Sequence, residues 1–150
     1  MQDLGIDLQL LDYGVVDNNQ INISELLQIT YLRGQEDALK KLETTLKENL
    51  QQAAQASGLL KEKLENKKVH IHNMYLKVIS INQFRCLVIV DRSSYFNKQS
   101  RENAYRIGNQ INSTNNRIDL DFNFMAFSEN IEEVNITSDG YYFKHEFAEI

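Results

Sequence analysis

The sequence predicts an α+β fold: a long N-terminal amphipathic helix followed by a small mixed sheet in ββαββ order with one crossover helix. Three observations carry this. Leu39, Leu42, Leu46, Leu50, Ala53, Ala56, Leu60 and Leu64 recur at intervals of three and four, the spacing of one helix face. Past Asn66 the period changes, and Ile118, Leu120, Phe122 and Phe124 recur at two, the spacing of one strand face. A helical pattern from Ser100 to Ile111 separates two pairs of strand-like runs, so a right-handed β-α-β crossover with parallel strands is expected.

The chain divides into an arm with a short helix over 1–34, the long helix over 35–68 and the ββαββ domain over 69–150. In the arm, apolar clusters around Leu10 and Val15 are broken by Gly5, Gly14 and Asp17-Asn18-Asn19, which fits a hairpin or an extended segment. Ser24 is placed to cap a short helix that stops near Gly34. In the long helix, Glu36 with Lys40, Glu43 with Lys47 and Lys61 with Glu65 set opposite charges four residues apart. Unbroken, it would span about 45 to 50 Å at 1.5 Å per residue. Gly58, after Ala53-Ala54-Gln55-Ala56-Ser57, offers the alternative of a helical hairpin. Heptad register is imperfect, because Leu50 and Leu64 drift off the a and d positions and Asn49 falls on the seam.

Val69 to Ser80 and Phe84 to Val90 are rich in Val, Ile, Tyr and Phe, and Asn82-Gln83 joins them as a hairpin. The crossover helix opens at an Asn97 or Ser100 cap and buries Ala104, Ile107, Gly108 and Ile111. Ser113 to Asn116 is a loop, Ile118 to Phe127 a strand, and Tyr141 to Phe147 a last strand after the Asp139-Gly140 turn. The crossover helix is expected on one face of the sheet and part of the long helix on the other.

With 150 residues, 42% of them hydrophobic, the chain can bury one core. No apolar run approaches the ~20 residues that cross a bilayer, and no basic residue precedes Arg33, as a signal peptide would need. A cytoplasmic location, no membrane contact and no cofactor are expected. Cys86 lies in the apolar run before Val90 and reads as a small buried hydrophobe. A net charge of −5 makes nucleic acid an unlikely partner.

Four groups of residues bear on function. Asp91, Arg92, Ser93 and Ser94 follow a strand, where open sheets bind ligands and where a carboxylate can hold a metal or an anion; the same residues also form ordinary turns. His70 and His72 share a strand face and are weak metal candidates, since a site needs three or four ligands. Asp119, Asp121 and Asn123 line a polar strand face, and a parallel crossover would put Asp119 at the opposite end of the sheet from Asp91. Basic residues from Lys67 to Arg117 interleave with Tyr75, Tyr95 and Tyr105.

The leucine stripe exceeds what a small sheet should cover. The leading expectation is therefore a non-enzymatic interaction or assembly subunit that pairs, with itself or another protein, through Leu39, Leu42, Leu46, Leu50, Ala53, Ala56, Leu60 and Leu64. An adaptor, an accessory subunit and a phage-like structural component all fit. A ligand-binding module or metal-dependent enzyme at Asp91 is the alternative, and a nucleic-acid accessory factor the third reading.

Overall fold

Charge pairs at four-residue spacing and the absence of proline let the chain run as one 31-residue helix, α1 (Glu36–Asn66). The structure, a computed structural model, describes residues 13–15 and 36–145. The expected arm, its short helix and the end of the last strand lie largely outside the described residues, as does the side chain of Leu39.

α1 passes Gly58 without a break, so the helical hairpin does not form. The physical reason is that one straight helix keeps Leu60 and Leu64 on the face that carries Leu46 and Leu50, and all four are buried. The helix ends in a Schellman motif: Lys68 takes the left-handed conformation (φ 63°), while the Lys68 and Val69 N–H groups return to the Glu65 and Leu64 carbonyls at 3.0 and 2.9 Å. That reversal aims the chain into the sheet.

The described residues form five strands, β1 (Tyr13–Val15) before α1 and β2 (Ile71–Ser80), β3 (Gln83–Val90), β4 (Asp119–Ala126) and β5 (Phe143–His145) after it. Their spatial order is β1-β5-β2-β3-β4, antiparallel throughout except for β3 and β4. The crossover between those two holds a one-turn helix α2 (Arg92–Tyr95) and the longer α3 (Lys98–Thr114). Asn97 caps α3, its side chain accepting the Ser100 N–H at 2.9 Å. A further short helix, α4 (Glu133–Ser138), precedes β5, and Gly140 (φ 98°) makes the turn between them.

An α+β fold with a long helix and a mixed sheet is what the periodicities predict. The ββαββ order omits three elements, namely β1 on the far edge, α2 and α4. Layering also differs from expectation. α1 and α3 share one face, where Leu46, Leu50, Leu60 and Leu64 join Ala104, Ile107 and Ile111 over Met74, Leu76, Cys86, Val88 and Leu120. The opposite face carries a smaller cluster in which Tyr75 and Ile89 pack under Ile136 and Tyr141, with Phe127 and Ile131 at its margin. Segment 127–142 thus takes the place expected for part of the long helix. Its anchor is Glu133, which accepts the Tyr75 hydroxyl at 2.7 Å and faces Lys144 Nζ at 2.8 Å.

Candidate functional site

Asp91 emerges from β3 at the carboxyl end of the sheet, where the chain must turn into the crossover. Its Oδ1 accepts the Ser94 N–H at 3.0 Å and its Oδ2 the Ser93 hydroxyl at 3.2 Å, so the carboxylate caps α2. Burial alone would raise its pKa, yet these bonds and the charge of His70 hold it below the usual aspartate value. Arg92 points to solvent and lies over the Phe96 ring at 5.5 Å. The structure therefore occupies both oxygens of Asp91 in local capping.

His70 and His72 do converge, their rings meeting edge-on at 4.9 Å, but His72 is stacked face to face on Phe127 at 4.1 Å. Among the described residues, no group of three His, Cys, Asp or Glu side chains is placed to hold a metal ion. Asp119 pairs with Gln83 at the start of β3, far from Asp91 beyond its end. Asp121 stands opposite Arg85, and Asn123 and Arg85 both reach the Tyr141 hydroxyl, whose pKa is raised, chiefly by burial. Lys77 covers the same ring at 5.7 Å. This polar strand face is thus tied into packing across the sheet.

The thiol of Cys86 is fully buried against Tyr13, and burial pushes its pKa up to about 12. Tyr13 in turn shares a 2.8 Å hydrogen bond with Ser57 on α1. A thiol in that state packs and does not attack.

Among the described residues, most of the leucine stripe packs inside the chain. Leu46, Leu50, Ala53, Ala56, Leu60 and Leu64 are buried, and Leu42 packs against the core. α1 rests on the sheet and on α3 together, so these side chains meet two surfaces of their own chain. Asn49, on the same seam, is 3% exposed and bonds Ile81 and Arg117 of its own chain.

Among the described residues, the exposed large hydrophobic side chains are Leu59 on α1, Ile79 on β2, Val134 on α4, Phe96 after α2, Tyr105 on α3 and Met125 on β4. Phe96 is 62% exposed, Tyr105 52% and Met125 39%. Tyr105 stands edge-on to Phe124 of β4 at 5.1 Å. A shallow groove along α3 is lined by Tyr95, Lys98, Arg101, Tyr105, Arg106 and Gln110. A second groove, between the end of α1 and α3, continues past Arg106 to Lys63 and Lys67. Sequence reasoning found the cations and Tyr105 but passed over Phe96 and Met125. The signal for Met125 was present, since it occupies the outward phase of the strand that places Asp119, Asp121 and Asn123.

No helix among the described residues is long and apolar enough to cross a membrane. No protein-family model, no curated protein and no solved structure matches the chain.

Proposed function

We propose that the protein is a non-enzymatic interaction or assembly subunit whose docking surface is the α3–β4 side and not the leucine face of α1. The observation that supports this reading is exposed Tyr105 in the α3 groove beside Arg101 and Arg106, with exposed Phe96 at the end of α2. Aromatic rings and arginines are the side chains that interfaces favour, because they combine large contact area with few rotatable bonds or with planar hydrogen bonding. The groups that could support chemistry are engaged elsewhere: Asp91 in a cap, His72 in a stack, Cys86 in the core.

Light scattering on the full chain and on a Tyr105→Glu variant tests it. A complex larger than the 17.5 kDa chain that falls apart in the still-folded variant supports the reading. Leu59→Glu, at an exposed position of α1, serves as control and should leave the complex intact. A complex that survives Tyr105→Glu and yields to Leu59→Glu would return the interface to α1.

A second reading, contact with single-stranded nucleic acid, draws on the same surface, where Lys98, Arg101 and Arg106 line the groove with Tyr105 and Lys63 and Lys67 line the neighbouring one. The net charge of −5 works against it. Absence of binding to oligonucleotides at low salt removes it.

A further inference from the structure

Charge is sorted along the sequence and, by the fold, across the molecule. Between Arg117 and Lys144 the chain carries Asp119, Asp121, Glu129, Glu132, Glu133 and Asp139 and no cation. Asp119 and Asp121 take the phase of β4 that turns away from the helices, and the other four belong to segment 127–142, so these carboxylates gather on the sheet face opposite α1 and α3. On the helix side, exposed Lys63, Lys67, Lys98, Arg101 and Arg106 line two grooves that share Arg106 and Gln110, and Glu102 is the one carboxylate among their lining residues. Neither set is neutralised at home. Among the described residues Lys63, Lys67, Arg101 and Arg106 form no ion pair, nor do Glu129, Glu132 and Asp139, while Lys98 meets Glu102 only at 3.9 Å with both side chains exposed.

We propose that the cationic grooves receive the acidic segment 127–142 of a second copy of the chain, so that copies stack head to tail, helix layer on acidic face. The proposal rests on the reading of the α3 side as an interface and names its partner. Charge complementarity points to a second copy, because the chain itself presents both halves, each exposed and each unpaired within its own molecule. An apolar contact accompanies the charges. Val134, 59% exposed on α4 and two residues past Glu132, matches Tyr105, 52% exposed in the groove beside Arg101 and Arg106. An apolar centre within a charged rim is the make-up of a docking patch. A nucleic acid would answer the cations and leave the acidic segment and Val134 unused.

The two surfaces lie on opposite sides of the sheet, so two copies cannot satisfy both at once about a two-fold axis. The contact is heterologous, and association continues past a dimer into a ring or a filament. A single exposed ion pair contributes little, but several cations set against several carboxylates act together, and reversing one set places like charges opposite each other, which costs more than losing the pairs.

Paired charge reversal tests this. Arg101→Glu with Arg106→Glu, and separately Glu129→Lys with Glu132→Lys, should each weaken association at least about tenfold, because groove and segment then carry one sign. All four positions are exposed, so each variant should keep its circular dichroism. Mixed in equal amounts, the two variants should associate again, since the unaltered segment of the first meets the unaltered groove of the second. By light scattering the wild type should grow beyond two chains as concentration rises and return to one chain in about 1 M salt, where the screening length is ~3 Å. A complex that Tyr105→Glu dissociates, but that keeps its mass with Glu129→Lys and Glu132→Lys, leaves the interface standing and overturns the acidic segment as its occupant. A complex that survives Tyr105→Glu and both reversals removes the interface reading as well. Variants that fail to recover on mixing, a wild type that never exceeds two chains, or assembly that forms only on addition of an oligonucleotide each overturn the head-to-tail contact.

Discussion

Asn49 of α1 accepts a 2.6 Å hydrogen bond from Nε of Arg117, which precedes β4, and donates at 2.7 Å to the carbonyl of Ile81 in the β2–β3 turn. One buried amide thus fixes the helix against two parts of the sheet. Arg117 also reaches Glu48 at 3.0 Å, in an exposed pair that adds little by itself. The polar residue on the leucine seam sets the register of a helix on its own sheet, which is the function that a buried Asn serves between coils.

Asn49→Ala removes both bonds from a buried position, and a loss of about 1 to 3 kcal/mol is expected in urea unfolding. Arg117→Ala, at an exposed side chain, should cost less than about 1 kcal/mol. Equal costs would show that the contact to Ile81 contributes nothing.

Leu46 and Leu60 are 1% and 0% exposed, so each truncation to Ala should cost about 2 to 5 kcal/mol. The double substitution to Glu should unfold the chain, with loss of circular dichroism. A folded double variant that merely changes mass would mean that the leucines face a partner.

Gly58 sits inside α1 with nothing within 4 Å of the position a Cβ would take. Gly58→Ala should therefore stabilise by about 0.5 to 1 kcal/mol through helix propensity. A thermal shift in the opposite direction would indicate that the helix bends there.

Asp91 and Glu133 share a pH signature. For each, burial opposes ionisation and hydrogen bonding overrides it: Ser94 and Ser93 at Asp91, Lys144 and Tyr75 at Glu133. A carboxyl held below its unfolded value adds stability above that value, and the contribution disappears as pH falls through the folded one. Wild-type stability should thus drop steeply below about pH 4.5, the ordinary glutamate value. In Glu133→Gln the drop should be shallower and neutral stability lower. Asp91→Asn keeps a capping oxygen and should lose little at neutral pH. Parallel pH curves for all three chains would remove both carboxylates from this role.

The elements that could be read from sequence are those with long periodic patterns. α1, the β2–β3 hairpin, α3 and β4 all follow from spacing plus caps, within a few residues at each end. The Asp139-Gly140 turn was equally plain, because only glycine takes φ 98° at no cost. α2 and α4 escaped because four and six residues complete too few turns to establish a period. β1 escaped because its three residues pair with β5, on the far side of the chain in sequence, and no local pattern encodes a distant partner. The layering was misjudged for a related reason. Periodicity shows that α1 has an apolar face and is silent on which surface receives it, and α3 supplies part of that surface. The sequence marks Asp91 as a ligand position or a turn former, and its two bonds to Ser93 and Ser94 cap the turn that opens α2.

Amide hydrogen exchange followed from dilute to concentrated protein bears most directly on the division between an internal α1 and an external α3–β4 side. Peptides covering β4 should become protected as concentration rises, while those covering Leu46 to Leu64 should be protected equally at both extremes. Concentration-dependent protection in α1, with β4 unchanged, would contradict the account and place the interface on the leucine stripe.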